Sequence, residues 1–208
     1  MIKFSMLLIN NNRSKAYLQN LVLNGFIPEN IIVLDDRNIV LPEHTENDKF
    51  ITQNTKQILI RKVDKLKLEF DEKEHIITTI TKNNIKHTIL NCIDVNSDIV
   101  LSEVKKIKED YIVYSGPGGT ILSKKILNQN KKFIHVHPGV LPKHRGSTTF
   151  YYSYLLDYSV GASVIFMNEK IDQGPIIYTE SFLIDERDVD FDHELDPALR
   201  ARVLVNCF

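Results

Sequence analysis

Two histidines one residue apart, followed at once by proline and glycine, are the residues of this chain best arranged to do chemistry. They stand in Phe133-Ile-His-Val-His-Pro-Gly-Val-Leu-Pro-Lys-His-Arg-Gly146. Side chains alternate along a strand, so His135 and His137 point to one face while Ile134 and Val136 point to the other. An imidazole titrates near neutral pH and can take up or release a proton, or ligate a metal when neutral. Much later, Asn168-Glu-Lys-Ile-Asp-Gln-Gly-Pro-Ile-Ile177 sets Asp172 just before a tight turn that re-enters a strand. Taken singly, a histidine near a strand end is ordinarily structural and an aspartate before a turn is ordinarily a turn former. The pairing of the two segments is what points to a site. The same residues allow a different chemistry, a zinc-dependent hydrolase holding its metal with His135, His137, His144 and Asp172.

The elements that must position these groups alternate between strand-like and helix-like segments, the mark of an α/β fold: a Rossmann-like, mostly parallel sheet flanked by helices. Ile2 to Ile9 is apolar enough for a strand buried on both faces, and Ser14 can cap a helix through Leu23 that ends at Asn24 and Gly25. Ile31 to Leu34 forms the second strand, Asp35 to Thr52 a polar loop, and Gln53 to Phe70 an amphipathic helix. His75 to Cys92 reads either as a helix turn followed by a strand at Thr88 to Leu90 or as two short strands. Ser97 or Asp98 caps a helix to about Lys108, and Tyr111 to Tyr114 is a strand closed by Ser115-Gly-Pro-Gly-Gly119. That turn lacks the Lys-Ser/Thr pair of a phosphate loop and borders the cleft instead. A short helix at Leu122 to Leu127 leads to the histidine strand, Phe133 to His137, at whose carboxyl end an α/β sheet binds ligands. An aromatic helix from Ser147 to Asp157 and strands at Ala162 to Met167 and Pro175 to Phe182 complete a domain over residues 1–183, with 184–208 as a C-terminal extension.

The two motifs resemble those of the formyltransferase family, which includes the methionyl-tRNA, glycinamide ribonucleotide and nucleotide-sugar formyltransferases. That family carries Asn-x-His-Pro-x-x-Leu-Pro-x-x-Arg-Gly and, later, Asp-x-Gly-Pro-Ile. Here they read His135-Val-His137-Pro138-Gly-Val-Leu141-Pro142-Lys-His-Arg145-Gly146 and Asp172-Gln-Gly174-Pro175-Ile176. The likeness is clear from about Asn91 to Phe182. Two positions depart: His135 replaces the family's asparagine, and Thr149 stands where a proline usually follows the Arg-Gly pair. An asparagine amide always donates, whereas an imidazole donates only from its protonated nitrogen.

The resemblance implies 10-formyltetrahydrofolate as formyl donor, in a pocket lined by Val140, Leu141, Pro142 and Ile171. Formyl transfer needs a neutral amine to attack, a donor for the developing oxyanion and a base for the amine proton. On this reading His137 is the base, Asp172 orients it, and His135 holds the oxyanion. Arg145 and Tyr151 would face the acceptor, although a solvated arginine and a core aromatic are the plainer readings. The acceptor is a small-molecule amine, by resemblance and elimination a nucleotide-linked amino sugar. Twenty-six basic against 27 acidic residues give a net charge of -1 and no general field for nucleic acid. With the chain ending at Phe208, the further domain of tRNA-acting members is not expected; Leu195 to Arg202 resembles the end of the catalytic core in sugar-modifying relatives, which usually continue further, so a terminal portion that helps select the acceptor is expected to be missing. A deformylase would carry an N-terminal regulatory domain with no counterpart here, and a catalytically silent binding domain is the reading the change at His135 suggests. Cys92 and Cys207 form no C-x-x-C pair, and no apolar run is long enough for a membrane, so a cytoplasmic protein is expected, with a homodimer allowed.

Overall fold

The computed structural model describes residues 2–35, 70–146, 149–183 and 190–208. Its strands are β1 (Phe4–Ile9), β2 (Asn30–Asp35), β3 (His87–Asn91), β4 (Tyr111–Ser115), β5 (Lys132–His137), β6 (Ser159–Phe166) and β7 (Ile176–Leu183). They form one sheet in the order β3-β2-β1-β4-β5-β6-β7. β1 to β5 run parallel, whereas β6 and β7 are each antiparallel to the preceding strand. The ambiguous stretch after His75 takes the helix-then-strand alternative. The expected loop beyond Asp35 and the helix of Gln53 to Phe70 lie outside the described residues, save Phe70 itself, which packs against the core.

The helices are α1 (Asn12–Leu23), α2 (Ile76–Lys82), α3 (Asp98–Lys106), the single turn α4 (Lys124–Leu127), α5 (Thr149–Asp157) and α6 (Asp196–Cys207), the last preceded by a π-helical turn at Phe191–Leu195. Among the described residues no helix is long and apolar enough to cross a membrane. Alternation along the strands divides the core in two. Met6, Leu8, Val113, Ile134 and Val136 pack with α1, α2 and α6, while Leu7, Ile112, Tyr114 and Phe133 pack with α3 and α4. Fully burying one such aliphatic or aromatic side chain contributes about 1.5–3 kcal/mol, so both layers stabilise the sheet strongly.

Two local outcomes differ from the sequence reading. α1 begins earlier than expected because Asn11 caps it, its side chain accepting from the Ser14 N–H at 2.8 Å. Ser14 is left inside the helix, where its buried hydroxyl donates to the Ser115 carbonyl at 3.0 Å. The C-terminal residues are also more than an appendage: Leu199, Val203 and Leu204 of α6 are buried in the α1 layer, and Phe208 meets Phe4 edge-on at 4.7 Å.

Candidate active site

β5 ends the parallel part of the sheet and delivers His137 to its carboxyl edge, 2% exposed. Asp172 arrives from the turn between β6 and β7, and its Oδ1 lies 3.2 Å from His137 Nδ1. The motif around Asp172 explains how. Gly174 packs onto the end of β6, where an added Cβ would run into the Phe166 carbonyl oxygen. Asp172 itself takes a left-handed φ of 53°, a conformation that aspartate tolerates better than most residues. Its second oxygen accepts from the Gly146 N–H at 3.0 Å, which ties the Arg145-Gly146 end of the histidine loop to the carboxylate.

The other nitrogen of His137 is also occupied. Nε2 lies 2.7 Å from the backbone carbonyl of His144. A carbonyl can only accept, so Nε2 carries a proton and Nδ1, facing Asp172, is the position that exchanges one. Burial lowers the His137 pKa, the bonds to the His144 carbonyl and to Asp172 pull it back up, and the Arg200 guanidinium adds to the lowering.

The loop after β5 is held by a hydroxyl absent from the sequence reading. Ser163 of β6, opposite His137 in the ladder, donates to the Gly139 carbonyl at 2.7 Å and accepts from the Leu141 N–H at 2.9 Å. Leu141 is thereby buried and Val140 lies against Gly161, whereas Pro142 and, on the Asp172 turn, Ile171 are exposed. Thr149, in place of the expected proline, donates its hydroxyl to the Pro138 carbonyl and joins the start of α5 to the site.

His135 does not reach Asp172. Its ring lies 6.5 Å from that of Tyr114, and its Nδ1 is buried without a hydrogen-bond partner among the described residues. Burial, then Arg200 and Arg13, hold its pKa well below the usual value, while a bond from the ring to the Tyr114 carbonyl works the other way. So placed, His135 stands apart from the His137–Asp172 pair and keeps one ring nitrogen without a partner among the described residues.

Arginines beneath the strand were also missed. Arg200 of α6 donates to the Val136 carbonyl, between the two histidines, at 3.0 Å, and pairs with Asp196 at 2.6 Å. Arg13 donates to Ser115 Oγ at 3.0 Å and to the Gly116 carbonyl, fixing the turn after β4. Tyr114 folds over Gly116, where a Cβ would strike its hydroxyl, and burial pushes its phenol up to about 12.

Of the two residues expected to face the acceptor, Arg145 is exposed on the loop. Tyr151 packs on Phe191 at 5.4 Å and lies partly exposed at the surface. His144 turns its ring away from His137, with Nε2 3.2 Å from Asp157 Oδ2. The zinc set of the sequence reading is therefore not assembled, and among the described residues no three His, Cys, Asp or Glu side chains are grouped to hold a metal ion.

A model of the formyl transferase family matches residues 44–195, most of the chain. The methionyl-tRNA formyltransferase of Wolbachia sp. subsp. Drosophila simulans (strain wRi) is 39% identical over 72 residues, 34% of this chain and 24% of that protein. The match thus spans about a quarter of that relative's length. Among solved structures, phosphoribosylglycinamide formyltransferase from Streptococcus pneumoniae TIGR4 superposes with a TM-score of 0.61 at 11% identity, covering 100% of this chain and 97% of the other. The enzyme of the same name from Campylobacter jejuni subsp. jejuni NCTC 11168 gives 0.60 at 20% identity, covering 99% and 95%. At those identities the structural likeness speaks to the fold alone.

Proposed function

The chain belongs to the formyl transferase family, and on that premise we propose that it moves the formyl group of 10-formyltetrahydrofolate onto a primary amine, with His137 and Asp172 at the reacting centre. The observation that carries this reading is the 3.2 Å contact between His137 Nδ1 and Asp172 Oδ1 at the carboxyl edge of the sheet.

In the reaction the amine nitrogen bonds to the formyl carbon, the carbonyl becomes an oxyanion, and the bond to the folate nitrogen breaks. The amine nitrogen loses a proton and the folate nitrogen gains one. The His137–Asp172 pair suits that exchange because only Nδ1 can change its protonation while Nε2 stays bound to the His144 carbonyl. A proton held at Nδ1 makes the ring cationic beside the reacting carbon, where its field favours the oxyanion. Asp172 keeps that cation stable in a buried position. For His135, whose Nδ1 has no partner among the described residues, we propose the oxyanion-holding role. Val140, Leu141, Pro142 and Ile171 form the wall proposed for the donor: two are fixed by the Ser163 and Gly161 contacts, and two present apolar surface. We assign Arg145, exposed on the loop, and Tyr151 to the acceptor side.

For the acceptor we favour a small-molecule amine, specifically an amino sugar linked to a nucleotide. The relatives' names point to two further amines, those of methionyl-tRNA and of phosphoribosylglycinamide. The test is a mass-spectrometric screen of these three amine classes with 10-formyltetrahydrofolate. One acceptor gaining one formyl group, with an equal yield of tetrahydrofolate, supports the reading; donor that stays intact with all three contradicts it.

A further inference from the structure

We infer that the side-chain pair His144–Asp157 is a positioning clasp for His137, holding the one backbone carbonyl that dictates which nitrogen of the catalytic ring carries the proton. The kinetic consequences rest on the functional reading above, but the clasp itself is read from geometry. While the 2.7 Å bond to the His144 carbonyl stands, Nε2 must be protonated and proton exchange is confined to Nδ1, beside Asp172. Whatever fixes that carbonyl therefore fixes the tautomer.

The peptide that carries this carbonyl is held at two points and approached through one gap. The His144 N–H donates to the Val140 carbonyl at 3.0 Å, closing a turn. The His144 ring is 8% exposed, and its Nε2 reaches Asp157 Oδ2 at 3.2 Å, at the last residue of α5. Gly139 leaves the approach open: a Cβ there would stand 3.0 Å from the His144 oxygen and 3.1 Å from His137 Nε2, crowding both. Lys143 Nζ meets the same Asp157 oxygen at 2.6 Å from the solvent side and helps keep it ionised. The clasp thus runs from α5 through a buried ring and one peptide unit to His137. Neither side chain touches the reacting groups. The charged and titratable groups facing His137 are Asp172, Arg200 and His135, and those facing His144 are Asp157 and Lys143.

The test uses the full chain with nitrogen-labelled histidines, following the His137 ring by NMR across pH in wild type, Asp157→Ala and His144→Gln. In wild type Nε2 should remain protonated throughout the titration. In Asp157→Ala the neutral ring should become a mixture of tautomers. Its midpoint should move to lower pH, because the His144 bond that favours the charged form is loosened. The turnover number should drop about fivefold, the equivalent of one neutral hydrogen bond, with the donor KM unchanged. His144→Gln, whose amide can still donate to Asp157, should keep the wild-type tautomer. A ring in Asp157→Ala with wild-type tautomer and midpoint would overturn the clasp, even in an active enzyme. A tautomer that follows Asp157 in a protein transferring no formyl group would uphold the clasp and sink the functional reading alone.

Discussion

Replacing Asp172 with asparagine removes one charge and leaves the shape of the site nearly unchanged. The amide oxygen can still accept from the Gly146 N–H, now bonded at 3.0 Å, and the amide N–H can turn toward His137 Nδ1. Nδ1 then becomes an acceptor, and the ring is satisfied as the neutral Nε2–H tautomer. What is lost is the anion that stabilises the imidazolium. At 3.2 Å and an effective dielectric near 20, two unit charges attract by about 5 kcal/mol, an upper bound for this pair. Hydrogen bonds to charged groups contribute about 1.5–3 kcal/mol, the better guide. The turnover number should therefore fall by about 10- to 100-fold. The donor KM should change little, and the His137 midpoint should move to lower pH. Steady-state kinetics with a defined amine acceptor, paired with an NMR titration of the ring, read both quantities. A turnover number within a factor of about two of wild type, or a loss carried wholly by KM, would show that Asp172 does not act through the charge on His137.

Further outcomes follow from the same geometry. Folding holds the His135 and His137 pKa values below the ordinary value, so the unfolded chain takes up protons first as the pH drops. Stability should be complete above about pH 7 and decline as pH falls through about 6.5. Between pH 7.5 and 5.5, His135→Asn should remove up to about 1 kcal/mol of that decline in urea unfolding, and an undiminished decline would refute a buried neutral His135. Gly174→Ala forces a Cβ against the Phe166 carbonyl and should cost about 1–3 kcal/mol while displacing Asp172; thermal unfolding and turnover should drop together. Ser163→Ala leaves the Leu141 N–H without its partner and should cost about 1–3 kcal/mol, measured by urea denaturation, with a weaker donor affinity. Arg200→Met leaves Asp196 uncompensated and should cost about 3–5 kcal/mol in the same assay, with midpoints unchanged from wild type as the refuting result.

The parallel strands were legible because their period is simple: an apolar run such as Phe4–Ile9 has few alternatives once both faces are buried. The His137–Asp172 meeting was legible because two loop motifs with strict backbone demands, Pro138-Gly139 and Gly174-Pro175, bracket it. Other parts were hidden for physical reasons. Asn11 and Ser14 are equally good caps, and only the Ser115 carbonyl, distant in sequence, decides between them. Arg200 on a helix reads as solvated surface until α6 packs against β5. Ser163 in an apolar strand gives no sign that the loop across the ladder lacks hydrogen-bond partners. For His135 the strand pattern predicts the right face, yet its lowered pKa comes from burial and then from Arg200 and Arg13, which arrive from opposite ends of the chain.

The central claim is that His137 does the chemistry and does not merely shape the donor site. Measured side by side in wild type and His137→Asn, donor affinity from folate fluorescence and single-turnover formyl transfer to the amine test it most directly. The expected result is donor affinity within about threefold of wild type and transfer slowed by at least about 100-fold, the range typical of general acid–base help. Transfer at the wild-type rate in His137→Asn would contradict it.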